Sequence, residues 1–240
     1  MAQDSSASNT TDISLRGASL VGGLSLLFIA VLAPVGHFGI IQELIVKGDA
    51  AATASKITAS VDLFRVGICC LLVNAILDLV AAWALFIVLK PTNRSVSLLC
   101  AWFRLVYSAV LIVALGNLAD VATIVNGGDC LSAVAPDLLS AKVMMLIDSY
   151  HNIWDLGFVV FGLHLVTLGY LLFRSDHFPR FLGLLVAIAG FGYLIDHLGI
   201  VLLPAYRLNI SIYTFIGEMF LLVWLLVRGF KGFREPSATA

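Results

Sequence analysis

Ionisable side chains stand among the apolar residues of this chain, where a charge is costly unless it is neutralised or used. Four of them share one depth. Asp78 and Arg104 lie ten to twelve residues from the basic turn at 90–94, His164 lies ten before Arg174, and Glu218 lies ten before Arg228. At 1.5 Å per residue each is ~15 to 18 Å from the basic end of its helix, close to the middle of a bilayer. An acid, a base, an imidazole and a second acid at one level can hold a proton or a polar ligand. The economical arrangement sets Arg104 between Asp78 and Glu218, with His164 hydrogen-bonded beside them. The same four groups would also serve as a buried network that only ties helices together, and the spacing does not separate the two readings.

A second layer lies nearer the opposite end. Asp148, His151 and Asp155 are spaced i, i+3, i+7 and so share one helical face. Asp196 and His197 are adjacent, and His37 follows a Pro34–Gly36 pair that is expected to kink its helix. His37, His151, His197, Asp155 and Asp196 supply the nitrogen and oxygen donors that zinc takes tetrahedrally, and a zinc-bound water would be a hydrolytic nucleophile. HExxH and HxxxH spacings are absent. His151 and His164 are set roughly 220° apart around an ideal helix, so the two layers are treated as separate.

The elements that must position these groups are membrane helices. Only 12% of the 240 residues are charged, against about 25% in a soluble domain, and mean hydropathy is +1.02. Apolar runs predict six transmembrane helices at about 17–41, 63–89, 95–125, 152–173, 179–203 and 210–227. The expected fold is an all-α polytopic helix bundle, one transmembrane domain over 16–231, flanked by a disordered cytoplasmic tail at 1–15 and a second tail at 232–240. The region before 152 reads as interfacial, because a helix from 138 to 173 would be ~54 Å long. Asp49 reads as the N-cap of a short interfacial helix.

The shortest connections carry the most Lys and Arg, eight basic residues on their side against five on the other. The positive-inside rule then puts both termini in the cytoplasm. Net charge is −1, which points away from a nucleic-acid partner. Cys69, Cys70 and Cys100 lie within apolar runs and Cys130 in a loop, with no CxxC spacing. They read as small apolar residues.

The blocks ELIVKGDAAATASKI, DLFRVGI, LKPTNRSVSLL with FRLVYSA, YLLFRSDHFPRFLGLLVAIAGFGYLID and GEMFLLVWLLVRG resemble the bacterial membrane family catalogued as domain of unknown function 4386. The resemblance implies a multi-pass inner-membrane protein and brings no assigned activity. Three functions follow from the residues. One binds or moves a small molecule, lipid or proton through Asp78, Arg104, His164 and Glu218. Another is a metal-dependent lipid hydrolase, similar to the membrane ceramidase and adiponectin-receptor superfamily in its histidines and aspartate, though without its seven helices and HxxxH pair. The third is an accessory protein whose polar groups specify packing.

Overall fold

The structure is a computed structural model that describes residues 13–127, 134–203 and 205–232. The expected tails, up to residue 12 and from 233, and Cys130 lie outside the described residues.

Several helices begin at a polar side chain or a proline. Helix α1, Leu15–Pro34, starts at Ser14, whose hydroxyl accepts from the Gly17 amide at 3.1 Å. At Pro34, which has no N–H to donate, regular α winding ends. The chain continues as a π-helix, Val35–Ile41, and a 3₁₀ turn, Gln42–Leu44. The expected kink is therefore a change of winding, with His37 inside the wide turn. Helix α2, Ala50–Ala59, is capped by Asp49, which accepts from the Ala52 amide at 2.8 Å. Helix α3 is Val61–Leu89, and α4, Arg94–Val125, is capped by Asn93 through the Val96 amide at 3.0 Å.

Helix α5 runs unbroken from Pro136 to Arg174. Its first turns do not stand free: α2 packs on α5, and Val143, Ile147 and Tyr150 are buried. Helix α6 is Arg180–Leu202. A single turn, α7, Ser211–Thr214, precedes α8, Ile216–Lys231. Six helical stretches are long and apolar enough to cross a membrane, the first formed by α1 with its π and 3₁₀ continuation and the last by α7 with α8. Among the described residues there is no strand.

These spans form a ring. Each packs on its neighbours in chain order, α1 on α3, α3 on α4, α4 on α5, α5 on α6, and α6 on α8, and α8 closes onto α1. Small residues bring the backbones together, as they do where lipid supplies no hydrophobic drive. On α5, Gly162 and Gly169 meet Gly190 and Gly183 of α6 so closely that an added Cβ would strike backbone. The closing seam is tied by Arg16, which donates to the Gly229 and Phe230 carbonyls at 3.0 Å each, and by Ser19, which donates to the Leu225 carbonyl. Large apolar side chains such as Phe28, Trp102, Val113, Phe181 and Phe220 point outwards. A soluble monomer would not tolerate so much exposed apolar surface; hydrocarbon accepts it.

Candidate functional site

Arg104 of α4 is the centre of the ring's interior. Its Nη2 lies 2.5 Å from Asp78 Oδ1, and the two side chains are only 3% and 2% exposed. Its Nη1 is 3.2 Å from His164 Nε2, and its guanidinium carbon stands 5.5 Å from the centre of the Phe161 ring. Three helices, α3, α4 and α5, thus meet at one cation, which is also held over an aromatic face.

The tautomer of His164 follows from its partners. Its Nδ1 is 2.9 Å from the Cys100 carbonyl, which can only accept, so Nδ1 carries the hydrogen. Arg104 can only donate, so Nε2 is the bare acceptor. His164 is a neutral imidazole held between a carbonyl and a guanidinium, and a second ring proton would face the Arg104 N–H. Asp78 Oδ2 takes a long hydrogen bond from Asn74 Nδ2 at 3.4 Å. One turn away, Ser108 donates to the Ala75 carbonyl at 2.7 Å and holds α3 against α4.

Glu218 approaches from α8. Gly217 lets the first turn of that helix lie against the Leu185 backbone of α6, which brings the next residue to the ring's interior. A carboxylate in a first turn is favoured by the helix dipole. Tyr193 of α6 stands beside the Glu218 carboxyl, while Arg104 and Asp78 act on it through charge. Glu218 Oε1 is covered by protein and has no partner. The four groups expected at one depth therefore fall into a hydrogen-bonded triad, Asp78–Arg104–His164, with Glu218 beside it. One guanidinium faces two carboxyls, and burying a net charge is costly. The neutral form of the site carries one exchangeable proton between them.

The second layer is arranged differently. His37 Nδ1 is 3.0 Å from the Tyr150 hydroxyl, and Gln42 donates to its Nε2 at 3.3 Å. The His37 and His151 rings are 5.9 Å apart and His37 meets Trp154 edge-on at 4.6 Å. His197 Nδ1 lies 3.0 Å from Asp155 Oδ1, and its ring stacks on Phe158 at 4.5 Å. Asp196, adjacent in sequence, is engaged elsewhere. It accepts from the Tyr206 hydroxyl and from the Ser211 amide, each at 2.6 Å, and so fastens the loop before α7. Desolvation, followed by that hydrogen bond, pushes the Tyr206 phenol up to about 12.

These donors are engaged in separate contacts. Among the described residues no three His, Cys, Asp or Glu side chains converge on one point. The residues expected to ligate a metal are an Asp155–His197 pair, a His37 bonded to Tyr150 and Gln42, His151 facing His37, and an Asp196 turned to its own loop. Helical spacing showed shared faces but not these competing partners. Tyr193 escaped notice because a tyrosine in an apolar helix reads as packing; its place four residues before His197, on one face, was the available signal.

The family model described as Domain of unknown function (DUF4386) matches residues 21–229, and the chain belongs to that family. It is also similar to an uncharacterized protein of Archaeoglobus fulgidus, 33% identical over 156 residues, which make up 65% of this chain and 79% of the relative. No solved structure matches the chain.

Proposed function

We propose that this multi-pass membrane protein of the family binds and exchanges a proton at the centre of its ring, and uses it to move or retain a small polar or lipid-derived molecule. Glu218 carries the proton, Arg104 supplies the counter-charge, and Asp78 and His164 hold Arg104 in place. The reading rests on one observation: a single buried guanidinium is ion-paired to Asp78, while a second carboxyl, Glu218, stands in its field with Oε1 unpartnered.

The basic turns around Lys90 and Arg94 and around Arg174 and Arg180 support an orientation with both termini in the cytoplasm of a cell whose plasma membrane houses the single domain over 16–231. The test is proton uptake by proteoliposomes under an imposed pH gradient, read with an internal pH-sensitive dye. Wild type should take up protons faster than empty vesicles, and Glu218→Gln should not. Equal uptake by the two proteins would remove Glu218 from the role.

The accessory reading gains support from the contacts that Asp78, Arg104 and His164 make with one another. In that case the Glu218 variant would leave every flux unchanged and only the stability of the Arg104 variant would fall.

A further inference from the structure

The Glu218 Oε1 atom is covered by protein, so a proton must reach it along some line of groups. We infer that the line runs from Asp155 through His197 and Tyr193, a path that rests on Glu218 being the proton carrier. Three contacts join it. Asp155 Oδ1 and His197 Nδ1 are 3.0 Å apart. The His197 and Tyr193 rings lie nearly parallel, 6.0 Å between centres, and the inferred transfer across that gap uses one bridging water. The Tyr193 hydroxyl stands next to the Glu218 carboxyl. Beyond Glu218 stands Arg104.

Exposure gives the line a direction. The Asp155 and His197 side chains are 25% and 12% exposed, whereas those of Arg104 and Asp78 are 3% and 2%. The first pair therefore stands at the open end and the triad at the closed end. Neighbouring helices insulate the path. Phe158 stacks on both His197 and Tyr193, and Phe161 meets Tyr193 edge-on. The other titratable groups that face it are His37 from the π-helix, Tyr150 and His151 from α5 and Tyr107 from α4. Asp196, next to His197, is diverted to the loop.

The step balances. Asp155, protonated from the aqueous side, gives its proton to His197 Nδ1 while the ring releases the one on Nε2. Tyr193 receives that proton and passes its own hydroxyl proton to the Glu218 carboxylate. One proton has left Asp155 and one has arrived on Glu218; His197 has changed tautomer and Tyr193 is again neutral. Protonation of Nε2 by water and loss of the Nδ1 proton reset His197.

The experiment is time-resolved infrared spectroscopy of the protein in phosphatidylcholine vesicles after a downward pH jump. It follows the protonated-carboxyl band that Glu218→Gln abolishes. Tyr193→Phe keeps the ring and loses only the hydroxyl; Asp155→Asn keeps the shape and loses the acid. Both should slow the rise of the Glu218 band by about 100-fold or more, the usual contribution of a positioned proton-transfer group. The final amplitude should be unchanged, which shows that the fold persists. A wild-type rate in either variant overturns the line while leaving Glu218 as the carrier. A wild-type protein with no band assignable to Glu218 overturns the carrier, and the line with it.

Discussion

Asp155 of α5 and His197 of α6 meet at 3.0 Å in the same antiparallel register that sets Gly162 against Gly190 and Gly169 against Gly183. Each helix repeats its contact residue every seven positions, two turns apart, so the seam has two glycine pairs and then an Asp–His pair. Where glycines allow backbones to touch, the last pair is held close enough to bond. The glycines thus position the Asp155–His197 pair from a distance.

Replacing Gly169 with valine should separate the helices, since its missing Cβ would meet the Ala187 and Gly183 backbone. Overpacking costs about 1–3 kcal/mol. A lower unfolding temperature in detergent is expected, together with a weaker Asp155–His197 bond, seen as displaced His197 ring resonances. An unchanged melting point would show that the seam can open without cost.

Removing the central cation should cost far more. Arg104→Gln leaves Asp78 buried without its partner, a change worth about 3–5 kcal/mol in comparable buried pairs. The double variant Asp78→Asn, Arg104→Gln removes both charges and should recover much of that loss. Denaturant unfolding in mixed micelles measures both. A double variant as unstable as the single one would mean that the ion pair is not the principal partner of Arg104.

The architecture was legible in the sequence because hydrocarbon imposes length and polarity on every span, and caps such as Asp49 and Asn93 announce themselves by residue type. Depth counting also identified the level of Asp78, Arg104 and His164, since all helices rise equally per residue. Azimuth and competition were not legible. Asp196 and His197 are neighbours in sequence, yet they point at different partners because the helix turns ~100° between them. Nor could spacing reveal that the loop at Tyr206 would claim Asp196, or that α2 would cover the first turns of α5.

Asp196 should therefore behave as a fastener. Asp196→Ala frees the Tyr206 hydroxyl and the Ser211 amide, at a cost of about 1–3 kcal/mol for hydrogen bonds to a charged group. Faster limited proteolysis in the loop before α7 is the expected sign. Proton uptake through Glu218 should persist. Its loss, with the loop still resistant to protease, would place Asp196 on the proton path instead.

His164 offers the sharpest separation between a proton carrier and a fixed strut. Its Nδ1–H is spent on the Cys100 carbonyl and its Nε2 lone pair on Arg104. A carrier must accept a second proton, and here that proton would oppose a guanidinium. Glutamine has one acceptor and one amide donor and does not titrate, so His164→Gln can reproduce both bonds. It should retain proton uptake with only a small loss of stability. His164→Ala, which leaves the Cys100 carbonyl and an Arg104 N–H without partners, should cost about 1–3 kcal/mol. If the glutamine variant folds as stably as wild type but takes up no protons, the histidine titrates during turnover and its bonds to Arg104 and Cys100 must break in the cycle.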